Sequence, residues 1–108
     1  MIPTYNFPDH IKGDTFLDKQ INFGKDITDA KIAMQFKTTV TSLPTFFWST
    51  TDDSLIIIDP INGIIRMNNK MLDFAAAKYI YDCQITFSNG FVQTFFRGSI
   101  TIVQDITE

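Results

Sequence analysis

The side chains able to do chemistry are few and poorly matched to one another. His10 is the single histidine and Cys83 the single cysteine. A Ser-His-Asp arrangement would have to use His10, which lies in a Pro-Asp-His-Ile run, and no glycine-bounded nucleophile elbow accompanies it. Cys83 falls on the inward side of an alternating strand, where a small buried hydrophobe is the expected role, not a nucleophile. A lone cysteine closes no disulfide within the chain and builds no thiolate metal site. Three pairs of aspartates, Asp14 with Asp18, Asp26 with Asp29, and Asp52 with Asp53, could place carboxylates around a calcium ion or a glycosidic bond. Each sits among turn-forming residues, where a short carboxylate satisfies the local backbone, so structural turns are expected there. No Gly-rich phosphate motif is present. The expectation is a protein that is not an enzyme and uses no cofactor or metal.

Charge narrows the partners further. Nine basic residues against twelve acidic give a net charge of -3, and only Arg66 and Arg97 are arginines. A nucleic-acid surface needs a basic stripe to neutralise phosphates, and a polybasic membrane patch needs the same, so neither partner is expected. The longest aliphatic run, Leu55 to Ile58, has the length of one buried strand and not of the roughly 20 residues that cross a bilayer. The first residues lack the positive region and apolar core of a secretory signal, which points to a cytosolically made protein.

What remains is aromatic. Eleven phenylalanines in 108 residues, with 44% hydrophobic residues overall, suit one packed domain over residues 1–108. Phe46, Phe47, Trp48 and an outward-facing Phe95 exceed what one wetted sheet face needs, and are the candidate protein interface. The alternative is that a second sheet or the Tyr5 to Phe7 region covers them.

These residues must be positioned by strands. Tyr79 to Phe87 alternates with Tyr79, Tyr81, Cys83, Ile85 and Phe87 on one face, and Phe91 to Val103 alternates with Val92, Thr94, Phe96, Gly98, Ile100 and Ile102 together. Between them, Asn89-Gly90 predicts a two-residue turn with both residues at positive φ. Gly98 in mid-strand marks either a bulge or a close backbone approach. Upstream, Ile32, Met34 and Phe36 define a central strand, with Val40 extending the row, and Leu55–Ile58 pairs with Ile64–Met67 around Asn62-Gly63.

Tyr5 to Ile11 reads as an edge strand or an arm over the core. Phe16 to Phe23 reads as one strand with Leu17, Lys19, Ile21 and Phe23 on one side and Lys19 near the rim. A short strand is possible within Thr45 to Thr50. The stretch from Asn68 to Ala77 predicts a short helix, with Asn69 as cap and Met71, Leu72 and Ala75 as its apolar face. Seven or eight strands then form a sandwich or squat barrel, with Met34, Phe36, Tyr81, Cys83, Ile85, Phe96, Ile100 and Ile102 in a common core.

Several landmarks in this order are similar to a known family. They are Gly13-Asp14-Thr15-Phe16, Ile27 to Gln35, Asn62-Gly63-Ile64-Ile65, Tyr81 to Gly90, and Thr94 to Ile102 followed by Gln104-Asp105-Ile106-Thr107. The chain resembles the small all-β domains of tailed-bacteriophage and prophage tail proteins, such as the N-terminal domain of baseplate upper proteins. Asp29 replaces the family's usual glycine, and Cys83 its usual leucine. The resemblance implies an all-β, immunoglobulin-like antiparallel β-sandwich with one short helical crossover. It also implies a structural virion component of a tail or baseplate, made in the bacterial host cytoplasm and docking other virion proteins or copies of itself. An immunoglobulin-like adhesion module recognising a host surface is the alternative.

Overall fold

The computed structural model describes residues 3–104. The Asp105 to Thr107 ending that carries part of the family resemblance lies outside them. The described residues form ten strands: β1 (His10–Ile11), β2 (Thr15–Phe16), β3 (Lys19–Asn22), β4 (Lys31–Lys37), β5 (Phe46–Ser49), β6 (Leu55–Asp59), β7 (Ile64–Met67), β8 (Lys70–Met71), β9 (Ala77–Thr86) and β10 (Val92–Val103). They make a five-stranded sheet in the order β1-β10-β9-β4-β5, a three-stranded sheet in the order β3-β7-β6, and the small pair β2-β8. The protein is all-β, and among the described residues there is no helix.

The β9-β10 hairpin and β4 supply the frame. Alternation is clean along β4, where Ile32, Met34 and Phe36 are buried, and along β9, where Tyr79, Tyr81, Cys83 and Ile85 are buried. Their registers, Met34 opposite Cys83 and Phe36 opposite Tyr81, place these rows side by side. Leu55, Ile65 and Met67 from the three-stranded sheet join the same core, as do Ile100 and Ile102. Phe96 packs against it while remaining partly exposed. The common core expected from periodicity is therefore present, and it draws on both larger sheets.

The Tyr5 to Ile11 region is an arm that runs parallel to β10. Tyr5 and Phe7 donate their amides to the carbonyls of Arg97 and Ser99, each at 2.8 Å, and β1 continues in parallel register with His10 opposite Ile102. This parallel edge departs from a purely antiparallel arrangement. Gly98 makes it possible: a Cβ there would lie 1.7 Å from the Tyr5 carbonyl oxygen. That oxygen accepts a hydrogen bond from the Tyr81 hydroxyl at 2.9 Å. Gly98 thus serves a close backbone approach, and the β10 bulge falls earlier, between Thr94 and Phe96.

Four expectations are corrected. The helix over Asn68 to Ala77 does not form. Short isolated helices are marginal, and here the backbone has better partners: β8 pairs with β2, and Gly13 donates to the Leu72 carbonyl at 2.9 Å. Leu72 is buried while Met71 is exposed, the period of extended chain. The Phe16 to Phe23 strand is broken in two, because the Asp18 amide bonds to Asn69 Oδ1 at 2.6 Å instead of continuing a ladder. Phe16 is consequently buried and Leu17 is 72% exposed. Val40 leaves the β4 row, since the strand stops at Lys37 and Ser42 Oγ donates to the Thr39 carbonyl to close a turn. Val40 is exposed.

The fourth correction concerns the β9-β10 connection. Its pairing ends at Thr86 opposite Val92, so five residues join the strands. Gly90 donates to the Phe87 carbonyl and Phe87 donates to the Phe91 carbonyl, both at 2.8 Å. Gly90 has φ of 89°, while Asn89 stays at negative φ and accepts the Phe91 amide on its side chain at 2.9 Å. The arrangement resembles a three-residue turn with a glycine bulge, not a two-residue turn. Gly90→Val is expected to destabilise by about 1–3 kcal/mol, because only Gly90 needs the left-handed region. Asn89→Ala, which removes one exposed hydrogen bond, costs about 1 kcal/mol or less. Urea denaturation of the two variants separates them, and equal losses would contradict this turn.

Candidate interaction surface

The four candidate interface rings are distributed by the strand period. On β5, Phe46 and Trp48 point inward and are 4% and 0% exposed, whereas Phe47 points outward and is 42% exposed. Inward, cross-strand registry assembles a row of stacked rings. Phe74 lies 4.8 Å from Phe46, Phe46 lies 4.8 Å from Phe36, and Phe36 lies 4.6 Å from Tyr81, with interplanar angles of 17°, 13° and 21°. Trp48 packs edge-on against Phe36 and donates its indole N–H to the Asn68 carbonyl at 2.9 Å. Phe46 and Trp48 therefore complete the monomer's core. Phe47 alone of the β5 triplet meets solvent, beside Gln35 and with the Lys70 ammonium 5.9 Å from its ring centroid.

Phe95 is not outward-facing as the uninterrupted alternation predicts. The bulge adds a residue between Thr94 and Phe96, so Thr94 faces outward opposite Gln84 while Phe96 faces inward opposite Cys83. Phe95 swings toward β3 and meets Phe23 edge-on at 5.0 Å. With this turn it becomes part of the wall of a groove.

That groove, about 550 Å³, follows the seam between the two larger sheets. One wall is the N-terminal arm and the start of β10, including Tyr5, Phe95 and Phe96. The other is β3 and Phe23. Lys19 holds its ammonium 3.3 Å from the Tyr5 hydroxyl and 5.5 Å from that ring's centroid. Lys25 reaches Gln93 Oε1 at 3.5 Å and lies 5.1 Å from the centre of Phe87 and 5.6 Å from that of Phe95. Lysine held by aromatic faces and neutral oxygens keeps its charge available. Sequence reasoning placed Tyr5 on an edge strand or an arm and Lys19 at a rim, but did not join them to Phe95. The bulge that does so has no signal in local composition, since Gly98, the residue that drew attention, lies beyond it.

The groups that could do chemistry are otherwise occupied. Asp26 accepts from the Thr28 hydroxyl and amide at 2.6 and 2.9 Å, and Asp52 accepts likewise from Ser54. The side-chain hydrogen bonds hold both carboxyls below their usual range. Asp29 and Asp53 have φ of 61° and 65°, the geometry of turn residues. The His10 ring donates from Nε2 to the Asp14 carbonyl at 2.8 Å.

Cys83 is fully buried, and burial, with a smaller contribution from the Asp82 carboxylate, pushes its thiol from 9.0 up to about 12. The folded chain should resist thiol reagents at about pH 8 and react once unfolded. Burial also raises Tyr81 and Tyr79. In all three groups the folded state retains its proton longer than the unfolded state. The stabilising effect of the protonated Cys83 thiol is thus whole below its unfolded value of 9.0 and is lost as pH climbs through about 12. Denaturation midpoints measured across that window should fall, and a flat profile would contradict the buried placement of Cys83.

Comparison with protein-family models, with curated proteins and with solved structures finds no match to this chain.

Proposed function

We propose that this chain is a non-enzymatic structural module of a tailed-bacteriophage or prophage particle, folded as an immunoglobulin-like β-sandwich, that works by docking other proteins of the particle. The observation that carries the reading is the apolar seam between the arm and β3, where rings from the arm, from β10 and from Phe23 after β3 line a groove beside two lysines. Such a concave apolar strip between strand edges suits repeated protein contacts. The joint packing of the five-stranded and three-stranded sheets on one core supports the sandwich. Further support comes from Asp29. It stands where the family pattern has glycine, and its φ of 61° is a conformation that glycine adopts most readily.

The reading is tested in the native host. Particles banded on a density gradient and washed in high salt should retain the chain, detected by antibody. A chain that stays in the unassembled fraction would overturn the virion role, and one that binds host cells instead would favour the adhesion alternative.

A further inference from the structure

We infer that the seam is a strand-addition site, at which an extended, acidic segment of a partner protein pairs with the open edge of β3. This rests on reading the chain as a docking module and names the chemistry of what it docks.

The main-chain geometry comes first. β3 is the outer strand of its sheet, bonded on one side to β7. The Phe23 amide donates to the Gly63 carbonyl at 2.8 Å, which continues that ladder. In an antiparallel strand successive residues turn their amides and carbonyls to opposite sides. Lys19 and Ile21 therefore share the orientation of Phe23 toward β7, and Gln20 and Asn22 present their backbone groups on the open side. Both residues line the groove. An unpaired edge beside an apolar trough is the arrangement that accepts an added strand, with main-chain bonds giving affinity and alternate side chains filling the trough.

Charge selects the occupant. Lys19 lines the trough and Lys25 stands over its wall residue Phe95, and neither makes an ion pair: among the described residues the single ion pair is Lys12 with Asp73. Their ammonium groups rest on Tyr5 and Phe95, positioned to receive acidic side chains of an arriving strand. The fitting segment alternates apolar residues, directed at Tyr5, Ile21 and Phe95, with polar ones, and carries carboxylates.

The test uses the full chain and a synthetic nonapeptide that alternates isoleucine with threonine and has a glutamate near each end. Amide NMR shifts should move at Gln20, Asn22 and Phe23 on titration. Exchanging the glutamates for lysines should weaken binding about tenfold or more, and N-methylating alternate peptide amides should abolish it. Lys19→Glu combined with Lys25→Glu, the first half-buried and the second exposed, should reverse the charge preference in a chain whose circular dichroism is unchanged. Absence of any shift, shifts confined to β5 or to the outer sheet face, or binding indifferent to charge and N-methylation would overturn the inference. So would concentration-dependent self-association that perturbs these same amides without peptide, which would assign the seam to a second copy. Particle assays distinguish this failure from that of the wider reading. A double variant still retained by washed particles overturns the strand-addition site alone. A chain that binds peptide but never joins particles overturns the virion role alone.

Discussion

Gly98→Val is expected to lower stability by about 3 kcal/mol or more and to release the N-terminal arm. The new Cβ would lie 1.7 Å from the Tyr5 carbonyl oxygen and 2.5 Å from its carbon. These are backbone atoms and cannot rotate aside as a side chain does, so either the arm lifts or β10 bends. Overpacking of this kind costs about 1–3 kcal/mol, sometimes more. Loss of the Tyr5 carbonyl also strands the partly buried Tyr81 hydroxyl, adding about 1–3 kcal/mol. Ser99→Ala, one residue along, removes an exposed contact to Asn6 and should cost less than about 1 kcal/mol. Urea denaturation gives the magnitudes, and trypsin cleavage after Lys12 reports the arm. If Gly98→Val kept both wild-type stability and wild-type resistance to cleavage, the parallel arm would be misassigned.

Trp48→Ala should cost about 3–5 kcal/mol, the range for deleting a buried aromatic side chain. Trp48 is 0% exposed, packs on Phe16, Phe36 and Phe46, and its indole satisfies the Asn68 carbonyl. Phe47→Ala, at the adjacent position but facing solvent, should cost about 1 kcal/mol or less. Chemical denaturation followed by circular dichroism compares the two without relying on the lost tryptophan. Similar losses would mean that β5 does not alternate as described. The contrast also bears on the proposed docking: Trp48 lies in the core, whereas truncating Phe95 would alter the groove wall directly.

Much of this fold was legible in strand periodicity. The rows through Ile32, Met34 and Phe36 and through Tyr79, Tyr81, Cys83 and Ile85 are buried because alternation reports a face whenever a strand has one dry side. Gly98 was legible as either a bulge or a close backbone approach, and which of the two it serves depends on Tyr5, a partner distant in sequence. The misread segments share another cause. Around Leu72, local helix propensity competed with pairing to the Lys12 to Thr15 turn, a contact that local sequence does not reveal. Between Phe16 and Lys19, a side chain from Asn69 interrupts the strand and reverses the buried face. Of the interface candidates, Phe46 and Trp48 lie in the core, while Phe47 meets solvent and Phe95 lines the groove. Counting rings identified a surplus of aromatics, but the stack running from Phe74 through Phe46 and Phe36 to Tyr81 absorbs part of it. The bulge before Phe96 then carries Phe95 into the seam.

Hydrogen exchange of the chain incorporated in washed particles, compared with the free chain, tests the docking account most directly. Slowed exchange at Gln20 and Asn22, with little change along the already paired β4 and β9, is the predicted result. Protection confined to β5 and the outer sheet face, or none anywhere, would contradict the account by placing the working surface away from the seam.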